Sequence, residues 1–477
     1  DAGVYDTAPA AVPTTTAAPA PPSLYRIEGA PDVSQVRQSE EKLSYEPWTA
    51  NTAACSNRFQ PPGAPLHATD LNGIALPPTC FLGQANTKDK MHHVFVLGDW
   101  GGVTKHPWNA TFVGPVAADH RSKAHFKQHF RPFVFDVDDF GQRRVAEAMA
   151  HRALKSDPDY VLNVGDSFYW GGINVQCGAP PYLTQDVTQQ WKEAFEDIYK
   201  GPGLDGKQWL GVLGNHDYGG FLFTAGWDQI IGYTWLTQPP STQRWTQPAQ
   251  YYSASVQYDD FLIDYFFMDT NVFDTWPPAA DPGHNICSSL HTPQPTTCGV
   301  QGPTSPDECP HWFKKLWAAQ IPWLEKGLEA SQADWQVIVV HHPPEGLWGG
   351  ETWKRLSYQY GIDLILAGHR HRQEVHYMNE HNDLRPTAYV VSGGGGGITS
   401  ENEPHHDGTD DEYGFVDLTV TKKEIMIEAL SHGKVPQVRS TTCVKQVHAN
   451  GQGDIYTWQG PSLCDGKPAG PQPLPTE

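Results

Sequence analysis

The sequence predicts an α/β fold in which buried strands alternate with helices. Short apolar runs recur from residue 91 onward: HHVFVLGD, YVLNVGD, WLGVLGNHD, FLIDYFFMD, WQVIVVHH, IDLILAGH and AYVVSGGG. Helix-like stretches separate several of them, the pattern of α/β architecture. The runs are nearly continuous rather than alternating, as expected of sheets covered on both faces.

The elements follow in chain order. Residues 1–22 are rich in Ala, Pro and Thr and read as a disordered or O-glycosylated stalk, or else as an arm tied down by its own body or by a neighbour. Residues 23–90 carry Cys55 and Cys80 and read as a loop-rich extension. Residues 91–435 form the main domain, with residues 103–135 reading as an insertion. In GQRRVAEAMAHRALKS, Val145, Met149 and Ala153 share one helical face. Trp191, Phe195 and Ile198 do the same in TQQWKEAFEDIYK. IPWLEKGLEAS places a helix N-terminus near Pro322. Residues 277–312 hold three cysteines and many prolines and read as a disulfide-stapled loop insertion. The glycines from Gly393 to Gly397 follow a strand and let backbone approach another segment closely. Beyond residue 435 periodicity fades, and residues 436–477 read as a C-terminal extension folded back on the body.

Composition narrows the class. The chain has 477 residues, 33 Lys+Arg against 54 Asp+Glu, and a formal charge of −21, which disfavours nucleic acid and anionic membranes as partners. The apolar runs are strand-sized, far below the roughly 18 residues of a membrane span. Cys55, Cys80, Cys177, Cys287, Cys298, Cys309, Cys443 and Cys464 include no CxxC pair, so up to four disulfides and an oxidising compartment are expected. Asp1 reads as a processed N-terminus, and Asn109-Ala-Thr111 is a glycosylation sequon. The expected location is secreted, extracellular or at the cell surface, with an acidic lumenal compartment as the alternative.

The strand ends carry the chemistry. VFVLGDWGG ends in Asp99, YVLNVGDSFY in Asp166 with Tyr169 three residues on, and LGVLGNHD in Asn215 and His216. VIVVHHP ends in His341 and His342, and LILAGHRH in His369 and His371. Ligand sites of α/β sheets lie outside the carboxyl ends of the strands. Carboxylate, carboxamide, phenolate and imidazole suit Fe, Mn or Zn. The donors exceed the needs of one four-coordinate ion, and two ions about 3.5 Å apart sharing a carboxylate fit the number better.

The series GDxG, GDxxY, GNHD, HxP and GHxH resembles the purple acid phosphatases of the calcineurin-like metallophosphoesterase superfamily, most closely the small tartrate-resistant type. GDWGGV, GDSFYWGG, WKEAFEDIY, GNHDYGG, RWTQPAQYY at 244–252, MDT at 268–270 and VSGGG extend the likeness over roughly residues 91–435. Tyr169 is the discriminating residue, since the wider superfamily lacks a tyrosine ligand there. The resemblance implies a four-layer α/β/β/α sandwich with two mixed sheets. It implies Fe(III) on Asp99, Tyr169, His371 and the bridging Asp166. A second ion, Fe(II), Zn or Mn, would sit on Asn215, His341, His369 and the same Asp166. It implies acid phosphatase activity on a phosphorylated small molecule or phosphoprotein, by direct attack of a metal-bound hydroxide. His216 would serve as the catalytic proton donor facing substrate, with His342 and Arg370 as further substrate-facing residues. Tyr218 stands where small members usually carry a second histidine. The alternative is a structural or assembly protein on the same fold, a homo-oligomer or larger assembly built through the arm and insertions.

Overall fold

The structure, a computed structural model, describes residues 55–83, 91–105, 113–115, 131–178, 189–280, 285–292, 296–433, 436–447, 461–467 and 472–473. The arm 1–22 and the sequon Asn109 lie outside the described residues. One eight-stranded sheet contains β1 (Ile74–Ala75), β2 (Thr79–Cys80), β9 (Tyr252–Gln257), β10 (Leu262–Phe267), β11 (Trp335–Val339), β12 (Leu364–Ala367), β13 (Gln373–His376) and β14 (Ala388–Ser392). Its order is β1-β9-β10-β11-β12-β14-β13, with β2 also paired to β9. The second contains β3 (His92–Leu97), β6 (Tyr160–Asn163), β7 (Gln208–Gly211), β8 (Trp245–Thr246), β15 (Gly414–Val420), β16 (Glu424–Ser431), β17 (Gln437–Lys445) and β18 (Gln472–Pro473), in the order β18-β17-β16-β15-β3-β6-β7-β8. β4 (Val103–Lys105) pairs antiparallel with β5 (Val113–Pro115) in a separate two-stranded sheet. Both large sheets mix parallel and antiparallel pairs.

Strand alternation assigns each face. Val94 and Val96 of β3 meet Val337, Val339, Leu364 and Leu366 in the core between the sheets. Phe95 and Leu97 point the other way, onto α1 (Gly141–Ser156) with its buried Val145, Met149 and Ala153. On the far side, Phe266, Ile338 and Ile365 pack against Leu324 and Leu328 of α4 (Cys309–Ala330) and Trp353 and Leu356 of α5 (Gly350–Tyr360). The result is the four-layer α/β/β/α sandwich. Two short helices, α2 (Asn215–Tyr218) and α3 (Trp227–Gly232), follow β7.

Three local readings change. The helix expected to begin near Pro322 begins at Cys309, and Pro310 is the proline in its first turn. Pro322 is interior, tolerated because the apolar face runs through it from Phe313 and Leu316 to Leu324 and Leu328. The Trp191–Ile198 stretch forms one wide π turn, Lys192–Glu196, rather than a regular helix. The C-terminal extension contributes the nine-residue strand β17, antiparallel to β16. Four disulfides close, Cys55–Cys80, Cys177–Cys298, Cys287–Cys309 and Cys443–Cys464. The second staples the 277–312 insertion to the body, the third closes a loop within it onto the first residue of α4, and the fourth ties down the C-terminal extension. No helix among the described residues is long and apolar enough to cross a membrane.

Candidate metal centre

β3, β6 and β7 of one sheet and β11 and β12 of the other end at one edge of the sandwich. The turns after them carry Asp99, Asp166, Asn215, His341 and His369. Gly214, just before Asn215, is forced by the packing: a Cβ there would stand 2.1 Å from Asp166 Oδ1.

The donors form two groups that meet at Asp166. In the first, the Tyr169 hydroxyl lies 3.0 Å from Asp99 Oδ1, 2.8 Å from Asp166 Oδ2 and 3.4 Å from His371 Nε2. In the second, Asn215 Oδ1 lies 3.0 Å from His341 Nε2 and 3.2 Å from His369 Nδ1. His341 Nε2 is also 3.4 Å from Asp166 Oδ2. Asp99, Asp166, Asn215 and His341 are fully buried. His341 Nδ1–H donates to the Val164 carbonyl at 2.8 Å, which aims Nε2 at the cluster.

This set fits metal ions. Two atoms bound to one ion at about 2.1 Å each lie about 3 to 3.4 Å apart at ordinary coordination angles. The separations within the two groups, 2.8–3.4 Å, are close to that. Asn215 turns its oxygen toward the two histidines, while its Nδ2 is buried with no hydrogen-bond partner among the described residues. Burial pushes Asp99 well above the usual carboxylate range, and the neighbouring Asp166 adds to it. Burial would raise Asp166 too, but His341 and His216 hold it below that range. Burial disfavours a charged His341, yet Asp166 raises it to about 10. A proton on His341 thus balances the buried carboxylates, a task that a cation performs better.

A cleft of about 470 Å³ opens over this cluster, lined by Asp166, His216, Trp348, His369, Arg370 and His371, with Arg372, Glu401 and Asn402 at its side. His216 is fixed twice: its backbone N–H donates to Asp166 Oδ1 at 2.8 Å, and its Nδ1–H donates to the Trp170 carbonyl at 2.6 Å. Arg370 lines the cleft but is engaged, 3.0 Å from Glu345 and 3.1 Å from Glu374. His342, expected to face substrate, is instead fully buried and is not part of the cleft lining. Its Nδ1 is 3.0 Å from Thr270 Oγ1 and its Nε2 3.3 Å from Asp274, while its ring packs 4.4 Å from that of His369. Thr270 already accepts both backbone N–H groups of His341 and His342, and this pulls the His342 ring inward.

Sequence reasoning missed four neighbours. Asp274, His342 and His369 form a second close group of donors. Glu401 accepts the His371 backbone N–H at 3.2 Å and lies 3.7 Å from its Nδ1. Glu345 anchors Arg370, and Trp348 stands edge-on to His369 at 5.2 Å. Asp274 ends a short 3-10 turn (Asn271–Asp274), Glu345 and Glu401 sit in loops, and none of the three belongs to a donor motif. Trp348, five residues past the HHP motif and next to the exposed Leu347, was the available signal.

Hard donors at the ends of two facing mixed sheets define a metallophosphoesterase. The chain belongs to the calcineurin-like phosphoesterase family, whose family model matches residues 92–373. It is similar to tartrate-resistant acid phosphatase type 5 of Homo sapiens, 23% identical over 361 residues, covering 69% of this chain and 84% of that protein. It is also similar to purple acid phosphatase 17 of Arabidopsis thaliana, 27% identical over 263 residues, covering 54% and 64%. Among solved structures it is similar to GAP50, described as the anchor in the inner membrane complex of Plasmodium (TM-score 0.47, 16% identity, 76% of this chain and 90% of that one). Purple acid phosphatase PPD1 from yellow lupin (Lupinus luteus) seeds gives a TM-score of 0.40 at 14% identity, covering 78% and 56%. The family implies a dinuclear metal centre, and the donors described above suit one.

Proposed function

We propose that this chain is a dinuclear-metal acid phosphatase that hydrolyses phosphate monoesters. The observation that supports it most is the shared Asp166, which touches both donor groups. Asp99, Tyr169 and His371 with Asp166 would hold Fe(III); Asn215, His341 and His369 with Asp166 would hold Fe(II), Zn or Mn. When bound, such a pair neutralises phosphoryl oxygens and supplies an activated water without a phosphoenzyme.

The chain's residues supply the rest. Asp166 is set by its contacts to Tyr169 Oη and the His216 N–H, so the two donor groups keep a fixed spacing. His216 keeps its Nδ1 proton on the Trp170 carbonyl. Its Nε2 is then the nitrogen that hands a proton to the leaving alkoxide. Arg370 lines the cleft, but its charge is paired with Glu345 and Glu374, so it shapes the cleft wall rather than adding net positive charge to it. Four disulfides suit an extracellular or lumenal compartment. The substrate is a phosphorylated small molecule or phosphoprotein.

The test is hydrolysis of 4-nitrophenyl phosphate across pH after reconstitution with iron and zinc, beside Asp166→Asn, with metal content measured on both. Turnover with about two ions per chain, abolished in Asp166→Asn with loss of metal, is the expected result. A wild-type chain that binds two ions yet turns over no phosphate ester would overturn the proposal.

A further inference from the structure

We propose that Trp348 is a specificity-determining residue, a stacking platform that selects monoesters whose phosphate is joined directly to an aromatic ring. This rests on the phosphatase reading above and goes on to name the substrate class.

Trp348 lines the cleft and is only partly buried. It lies in the loop after β11, and that loop is held firmly. The Trp348 N–H donates to the Glu345 carbonyl at 3.0 Å, and Trp353 Nε1–H donates to the Trp348 carbonyl at 3.2 Å. Glu345 is itself clamped by Arg370 at 3.0 Å and by the Tyr389 hydroxyl at 2.5 Å. The Arg370 guanidinium lies 5.9 Å from the centre of the Trp348 ring, and the His369 ring stands edge-on at 5.2 Å. An indole fixed by its own backbone and by two neighbours loses little freedom when a ligand stacks on it.

Position then sets the ligand. His369 is one of the donors at the mouth, so the indole abuts the place where the phosphate would sit. Aromatic pairs interact at ring-centre separations of about 4.5–7 Å. A ring linked to phosphorus through one oxygen falls inside that reach, whereas a small alkyl group leaves the platform uncovered. A platform beneath the leaving group acts on ground state and transition state alike, so it lowers KM and leaves kcat nearly untouched.

The test compares two non-hydrolysable probes, benzylphosphonate and ethylphosphonate, in which CH2 stands for the ester oxygen, by calorimetry on the metal-loaded wild type, Trp348→Ala and Trp348→Phe. Phenyl phosphate and glycerol phosphate turnover is measured alongside. The wild type is expected to bind the benzyl probe about 3–10-fold more tightly than the ethyl probe. Trp348→Ala is expected to erase that preference and to raise KM for the phenyl ester, with Trp348→Phe restoring part of it. The intrinsic reactivity of an aryl leaving group cancels, because each variant is judged by its aryl-to-alkyl ratio. Equal binding of both probes to the wild type, or a preference that survives in Trp348→Ala, overturns the platform while turnover keeps the phosphatase reading. Parallel losses for both ester classes in Trp348→Ala assign the residue to loop structure and likewise overturn it. If neither probe binds and neither ester is hydrolysed, the phosphatase reading fails and the platform falls with it.

Discussion

Three of the proposed donors stand on backbone that side chains disfavour. Asp99, Asp166 and His369 have φ of 59°, 53° and 67°, in the left-handed region. Each costs of order 1 kcal/mol or more relative to extended or helical backbone. Tight turns directly after β3, β6 and β12 require this conformation, and glycine would adopt it freely. A carboxylate or imidazole is kept there because the turn aims it at the cluster. His216 differs, since helix α2 and the Trp170 carbonyl hold it without backbone strain. If His216 hands a proton to the leaving group, His216→Ala will slow alkyl phosphates by about 10²–10⁴-fold. The loss should be much smaller for 4-nitrophenyl phosphate, whose leaving group needs no proton. Steady-state kinetics on both esters decide this, and equal losses would leave His216 without the donor role.

At the scale of elements, the glycine strap after β14 fixes how closely the two halves of the site approach. The Gly395 N–H donates to the Gly98 carbonyl at 3.1 Å and the Gly397 N–H to the Asp99 carbonyl at 2.9 Å. A Cβ on Gly397 would fall 2.5 Å from the Trp100 carbonyl carbon and 2.7 Å from Tyr169 Cδ2. Neither neighbour is the free end of a flexible chain, so Gly397→Ala must displace the strap or the tyrosine. We expect a loss of about 2–3 kcal/mol in stability, read by denaturant unfolding, together with reduced metal content. Unchanged stability and metal loading would show that the strap adapts at no cost. This strap was legible in the sequence, because five glycines after an apolar strand have few uses other than close approach. The donor motifs were legible for a similar reason, since each stands directly after a continuous apolar run. β17 was not, because only Val438 and Val444 along it are buried and a mostly half-exposed strand lacks the apolar signature. Pro322 misled by resembling a helix start, where the apolar face on either side of it outweighed one missing N–H. Trp348, Glu401 and Asp274 come from segments brought together only by the fold.

Across the whole molecule, two buried carboxyls set opposite limbs of the pH dependence. Asp417 on β15 pairs with His93 at 2.9 Å and with Arg152 of α1 at 2.6 Å; Arg152 also meets Glu428, which Lys467 contacts at 2.8 Å. Burial would raise Asp417, but His93 and Arg152 outweigh it and hold the carboxyl below its ordinary range. Its contribution is therefore present above about pH 4, its unfolded value, and is lost as pH falls. Asp363, just before β12, accepts the Gln336 N–H at 2.8 Å and the Val447 N–H at 2.6 Å, linking one sheet to the tail of the other. Burial pushes this carboxyl up to about 8, against the pull of those two donors. Between about pH 4 and 8 the folded chain thus binds a proton here that the unfolded chain does not. Its contribution is complete below pH 4 and declines as pH rises through 8, by up to about 1.4 kcal/mol per unit. The two limbs together favour mildly acidic conditions. Asp363→Asn removes the titrating proton, and it also removes an acceptor, so its melting temperature should be lower throughout. The informative quantity is the slope between pH 5 and 9, which should flatten by about 1–2 °C per unit relative to the wild type. Parallel melting curves for the two proteins would mean that Asp363 stays ionised in the fold, and its two N–H donors would then dominate over burial.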